Sequence, residues 1–110
     1  MSQVVYTVRP MAMCDLDSVR ELDKLSFSLP WPDSAFHYEL VENQNSSCWV
    51  VDAQHPDGGS EKPGERQLAA MAVVWLVVDE AHIATIAVHP DYRGRGIAQE
   101  LLCAALIQSI

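Results

Sequence analysis

The sequence predicts an α/β fold, a mixed and mostly antiparallel sheet with flanking helices, in the order β-α-α-β-β-β-α. Three observations carry this expectation. Short runs that are β-branched or continuously apolar recur along the chain, VVYTV, SCWVVD, QLAAMAVVWLVV and HIATIAV. An apolar stripe at helical spacing separates the first run from the second. A glycine-rich turn leads from the last run into a segment rich in leucine and alanine, IAQELLCAALIQSI. At 110 residues the chain is one domain's worth, and an apolar fraction of 49% is enough for a core.

The first strand is expected over Val4 to Val8, ending at Arg9-Pro10. Asp15 is placed to N-cap the helix that follows, where Leu16, Val19, Leu22 and Leu25 form one stripe and Asp17, Glu21 and Lys24 lie outside it. The segment Ser26 to Pro32 stops this helix, because two prolines flanking Trp31 make a stiff, extended connector. A second helix is expected from about Asp33 to Glu42, with Phe36 and Leu40 turned inward. Ser47 to Asp52 reads as a strand. Residues 55–66, HPDGGSEKPGER, read as a long polar hairpin loop. Gln67 to Val78 is a long strand whose continuous apolar core predicts burial on both faces. Asp79-Glu80 is the expected turn, His82 to Val88 the next strand, and a helix runs from about Ile97 to the C-terminus at Ile110. That helix carries no stop signal, so the chain reads as ending where an element ends.

The net charge is −8. A chain this acidic is a poor generic binder of nucleic acid or anionic membranes and is better suited to a cationic substrate. Cys14, Cys48 and Cys103 are odd in number and widely spaced, and no Cys/His ligand pattern accompanies them. Neither a disulfide framework nor a metal site is expected. The opening MSQVVYTVRP lacks the pattern of a signal peptide. The longest apolar run, Ala69 to Val78, is half a bilayer span. The expectation is a cytoplasmic protein with no membrane and no nucleic-acid partner.

One stretch carries sharp chemistry, Val88-His89-Pro90-Asp91-Tyr92-Arg93-Gly94-Arg95-Gly96-Ile97-Ala98. A strand feeds a turn and a helix starts at once, so the N–H groups of residues 93–98 can point outward together at a helix N-terminus. The helix dipole adds partial positive charge there, and a pyrophosphate is the natural guest. Gly94 and Gly96 permit positive φ and close backbone approach. Arg93 and Arg95 supply two of only seven Lys and Arg residues. The stretch is not a Walker loop, and Gln99 stands where a dinucleotide fingerprint needs glycine.

Arg93-x-x-Gly96-x-Ala98 is similar to the R/Q-x-x-G-x-G/A motif of the GCN5-related N-acetyltransferases, the GNAT superfamily. The stretch from Glu80 to Leu102 resembles the RimI-type branch, the ribosomal-protein alanine N-acetyltransferases. So does Phe27-Ser28-Leu29-Pro30-Trp31 followed by Phe36 and Glu39-Leu40, as do Val8-Arg9-Pro10 and Asp15-Leu16-Asp17. The resemblance implies the GNAT fold, covered here as far as the CoA-binding helix, with acetyl-CoA as co-substrate and no metal. It implies that the backbone of Ile86, Ala87 and Val88 pairs with the pantetheine arm, and that Arg93, Gly94, Arg95, Gly96, Ile97 and Ala98 hold the pyrophosphate. It also implies that the Phe27–Trp31 connector lines the acceptor's slot; Leu29 and Pro30 fit that role and a rigid interhelix plug equally, whereas the bulk of Phe27 and Trp31 favours core packing. The family domain continues beyond this helix into a further parallel strand, a helix and a hairpin. These carry its usual glutamate base and tyrosine acid, which would lie beyond Ile110 and map to no residue here. A chain without them is expected to be completed by more sequence or by a second copy, with Leu101, Leu102, Leu106 or Ile107 partly uncovered.

The implied reaction is attack of a neutral amine on the acetyl thioester, with Val88 N–H as the candidate oxyanion donor. Within the chain, His82 lies six residues before Val88, on the same side by the period of two, and could relay a proton; Glu80 could draw in an ammonium group. Three readings stay open: transfer to the N-terminal α-amine of a protein, transfer to a small amine or lysine, and CoA binding without chemistry.

Overall fold

The computed structural model describes residues 4–54 and 66–109. Most of the expected hairpin loop, residues 55–65, lies outside the described residues. So does Ile110, to which the last helix was expected to run and past which the resemblance puts the family's glutamate and tyrosine. Four strands, β1 (Val5–Pro10), β2 (Ser46–Gln54), β3 (Arg66–Val77) and β4 (Glu80–Val88), pair antiparallel in the order β1-β2-β3-β4. Helices α1 (Leu16–Ser26) and α2 (Asp33–His37) connect β1 to β2, and α3 (Ile97–Ser109) follows β4. The expected element order is observed, and all four described strands are antiparallel. β4 is an edge strand among the described residues.

The sheet is sandwiched between two helical layers. On one face Val19 and Leu22 of α1 and Phe36 of α2 pack against Met71, Val73 and Ala87. On the other, Ile97 and Leu101 of α3 and Tyr92 pack against Val51, Ala70 and Ala72. The central position of β3 explains its unbroken apolar run: Ala69 through Val74 are all fully buried. Of the α3 residues expected to include uncovered ones, Leu101 is buried, whereas Leu106 and Ile107 are exposed.

Several details differ from expectation for identifiable reasons. β1 runs on through Arg9 and Pro10, which pair with Val50 and Trp49; an edge strand tolerates a proline. Asp15 does not cap α1 with its side chain. Its carboxylate turns back to accept from the Ala12 N–H at 2.8 Å and from both η nitrogens of Arg9 at 2.7 Å. Leu25 is exposed, and Asp23 occupies a buried position of α1 instead. The second helix is α-helical only to His37 and continues as a single π-turn, Tyr38–Glu42. Within that turn Leu40 packs partly buried against the core, as expected, and Glu39 is also buried, accepting from Asn43 Nδ2 at 2.8 Å and Trp75 Nε1 at 3.0 Å.

The β3–β4 turn is Val78-Asp79, one residue earlier than expected. Val78 sits at φ +56° with its side chain in solvent. Short hairpins favour positive φ, but a β-branched residue is strained there. Val78→Gly removes this strain, and the expected result is a gain of about 1 kcal/mol, read as a rise in Tm.

The Arg9 guanidinium holds the Asp15 carboxyl below its ordinary value of 3.8. A depressed carboxyl pKa contributes stability that is present above the unfolded-state value and lost as pH falls through the folded one. Acidification below about pH 4 therefore costs the native protein stability through this group. In Asp15→Asn that part of the pH dependence of the urea midpoint is expected to vanish.

Candidate functional site

The last residues of β4 and the start of α3 build a cleft. The His89 N–H donates to Ala69 O at 2.7 Å, toward β3. Backbone groups alternate along an antiparallel strand, so those of Ala87 also face β3, while those of Ile86 and Val88 face the free edge. The chain then makes a 3-10 turn over Pro90–Tyr92, in which His89 Nδ1 accepts from the Asp91 N–H at 3.1 Å. Gly94 and Gly96 adopt φ +80° and +74°, the left-handed conformation the turn requires. The Gly96 carbonyl accepts from the Glu100 N–H at 3.2 Å, opening α3. The first N–H groups of α3 thus have no intrahelical acceptor.

A cavity of about 390 Å³ lies between this turn and the β4 edge. Ile86, Ala87, Val88, Arg93, Gly94, Gly96, Ile97 and Ala98 line it together with Tyr92 and Gln99; the Ala87 backbone, expected to pair with the pantetheine arm, is taken up by β3 instead. Arg95 does not. Its Nη1 donates to Tyr6 Oη at 3.1 Å and its guanidinium lies 5.9 Å from the Tyr92 ring centroid, so it ties the turn to β1. Tyr92, which the sequence did not single out, is buried, donates to Gln67 Oε1 at 2.7 Å and meets Tyr6 edge-on. Its burial pushes the phenol pKa up, so it stays a neutral donor. Arg93 Nε donates to Val88 O at 3.0 Å, linking the turn to the strand end.

The cleft fits an anionic ligand carrying an extended, amide-rich arm. A helix N-terminus supplies N–H donors and a favourable dipole, and a Cβ built on Gly94 or Gly96 would meet nothing within 4 Å, so the backbone there is open to approach. The free edge at Ile86 and Val88 offers the donor and acceptor pattern that strand addition uses.

The His82–Glu80 pair lies elsewhere. β3 and β4 shift register between Val73 and Val74, with Val73 opposite Thr85 and Val74 opposite Ile83, so Ala84 is an extra residue in β4. This bulge reverses the side-chain alternation. His82, opposite Trp75, faces the α1–α2 side, while Val88, opposite Ala70, faces α3. The expectation that His82 and Val88 share a side is corrected accordingly. His82 Nε2 and Glu80 Oε2 are 3.0 Å apart and both side chains are exposed.

A second cavity, about 170 Å³, opens on the α1–α2 side and is lined by Asp23, Phe27, Leu29, Trp31, Ala84 and Thr85. Of the two connector residues expected at the acceptor's slot, Leu29 lines this cavity and Pro30 does not, and Phe27 is 39% exposed rather than core. Trp31 is half-buried and stacks on Phe36 with centroids 4.9 Å apart. Asp23, missed in the sequence, is 1% exposed. The only available signal was a charge four residues after the buried Val19. Burial pushes its carboxyl pKa up, partly offset by the hydrogen bond from the Trp31 N–H. Among the described residues no three His, Cys, Asp or Glu side chains cluster as metal ligands, and no helix is long and apolar enough to cross a membrane.

A strand, a glycine turn and a helix N-terminus arranged in this way form an anion-binding cleft, and residues 16–108 match the model of the acetyltransferase (GNAT) family, which defines the class as acyltransferase. The chain belongs to that family. It is 35% identical over 99 residues to a Bacillus subtilis (strain 168) protein provisionally named a ribosomal protein bS18-alanine N-acetyltransferase, covering 90% of this chain and 58% of that protein. It is 27% identical over 96 residues to the Escherichia coli (strain K12) ribosomal protein bS18-alanine N-acetyltransferase, covering 87% of this chain and 56% of the enzyme. The chain therefore spans somewhat more than half the length of these relatives. Two crystal structures share the fold. The E. coli ribosomal-protein-S18-alanine N-acetyltransferase superposes with TM-score 0.73 at 22% identity, over 96% of this chain and 59% of that one. Arabidopsis thaliana NAA60 in complex with acetyl-CoA superposes with TM-score 0.73 at 21% identity, over 96% and 68%.

Proposed function

We propose that this chain binds acetyl-CoA in the β4–α3 cleft and serves acetyl transfer to an amine, the N-terminal α-amine of a cytoplasmic protein such as a ribosomal protein. The observation that carries this reading is the coincidence of the 390 Å³ cavity with the free β4 edge and the start of α3. The amides around Gly96, Ile97 and Ala98 receive the pyrophosphate, and the edge groups of Ile86 and Val88 pair with the pantetheine arm.

In the transfer the amine nitrogen forms a bond to the acetyl carbonyl carbon and the C–S bond breaks. The amine gives up a proton and the leaving thiolate gains one. A thioester is already activated, so positioning supplies much of the acceleration. The Val88 N–H, directed to the free edge, is the donor toward the developing oxyanion. The names of the bS18-alanine relatives support an α-amine acceptor.

The test is calorimetric titration with CoA, followed by thioester cleavage with an alanine-first peptide, its N-acetylated form and a free polyamine. Turnover with the first alone is the expected outcome. The exposed His82–Glu80 pair does not line the cleft, which favours a second reading, in which the cleft residues bind CoA and no described residue moves the amine's proton. Saturable binding without turnover would identify it.

A further inference from the structure

We propose that Asp23 is the receptor for the acceptor's α-ammonium group, at the floor of the pocket between the α1–α2 connector and the β4 bulge. The inference rests on the acetyl-transfer reading and names the feature that selects its second substrate.

Four observations converge. Asp23 is 1% exposed, yet it lines the 170 Å³ cavity. Its two oxygens are unequally used: Oδ2 accepts from the Trp31 N–H at 2.8 Å, whereas Oδ1 is buried with no hydrogen-bond partner among the described residues. One turn on, Ser26 Oγ is likewise buried and unpartnered. The location is also unfavourable for an anion, because Asp23 lies in the last turns of α1, where the helix dipole is negative. Burial alone already opposes the charged form, as the raised pKa records.

Buried carboxylate oxygens are normally paired, and an unpaired one is costly. Holding the connector would require only Oδ2. Oδ1 therefore calls for a guest with positive charge and N–H donors, and an ammonium group offers both. The walls suit the chain end that follows it: Phe27, Leu29 and Trp31 are apolar, which fits a small aliphatic first side chain. The position suits transfer as well. Ala84 and Thr85 line this cavity, and the donor cleft begins at the next residue, Ile86. The bulge at Ala84 thus places the two cavities next to each other on one strand, opening toward opposite helical layers.

The test compares a hexapeptide with a free alanine N-terminus and the same peptide N-acetylated, titrated calorimetrically into the full chain with and without CoA. Wild type is expected to prefer the free amine by at least about tenfold, the scale of a charge-assisted hydrogen bond in a dry site. Asp23→Asn keeps an acceptor for the Trp31 N–H and removes the charge. Its preference is expected to fall below about twofold with CoA affinity unchanged. A preference that persists in Asp23→Asn, or that is missing from wild type, overturns the inference. Should Asp23→Asn fail to fold, the carboxyl carbon-13 shift of Asp23 in wild type decides: it must move with the free peptide and stay still with the acetylated one. Loss of CoA binding in wild type would instead overturn the acetyl-transfer reading, and the peptide comparison made without CoA would still judge Asp23.

Discussion

Gly96→Asp is expected to weaken CoA binding by at least about 100-fold, or roughly 2.8 kcal/mol, while leaving the fold intact. The two halves of this expectation have separate causes. A Cβ at position 96 meets no heavy atom within 4 Å, so the side chain leaves the backbone into open space. The backbone at φ +74° costs a non-glycine residue about 1 kcal/mol, and aspartate is among the residues that tolerate this region best. Binding is different, because Gly96 lines the cleft and opens α3. A carboxylate there can accept from the same N–H groups that would hold the pyrophosphate, and it repels the phosphates that remain. Gly96→Ala separates the effects: it carries the backbone cost without the charge, so its affinity should lie between the two. Equal CoA affinity in wild type and Gly96→Asp, measured by calorimetry, would place the CoA site elsewhere.

The elements that were legible in the sequence are those whose pattern is set by local chemistry. β3 is central and apolar throughout, and the turn at 93–96 needs two glycines at positive φ, so both could be read from residue types alone. The cleft followed, because its donors are backbone groups whose positions the glycines mark. What was not legible depends on pairing between distant residues. The bulge at Ala84 carries no glycine or proline, so nothing in HIATIAV announces it, and a strict period of two then put His82 on the wrong side. Asp23 was overlooked for a related reason. A charged residue defaults to the surface, and its burial is decided by Trp31 folding back over it from eight residues away. Val78 at the hairpin apex ran against its own propensity, and the β3–β4 register overruled it. The contact of Arg95 with β1 was not legible because its partner, Tyr6, is 89 residues away.

Arg9→Met is expected to be the most destabilising single change on the sheet, by about 3–5 kcal/mol, enough to threaten folding at 37 °C in a domain of this size. Arg9 lies in β1 and joins three segments at once. Its Nε and Nη2 donate to Asp52 of β2 at 2.6 and 3.1 Å, and its Nη1 and Nη2 donate to Asp15, just before α1, at 2.7 Å each. The Asp15 and Asp52 side chains are 10% and 6% exposed, and that of Arg9 is 29% exposed. The two aspartates raise the guanidinium pKa, which keeps Arg9 charged at every accessible pH. Ion pairs on a surface contribute little, but removing one partner from a buried set leaves charge in a low-dielectric setting, and that asymmetry sets the large value. Methionine retains most of the aliphatic volume, so packing loss is a minor part of the change. A triple variant, Arg9→Met with Asp15→Asn and Asp52→Asn, removes the stranded charges together and should recover more than half of the lost stability in urea unfolding. If Arg9→Met alone costs less than about 1 kcal/mol, the cluster behaves as a surface pair. The attachment of α1 to β1 and β2 would then rest on the apolar contacts of Leu16, Val19 and Leu22.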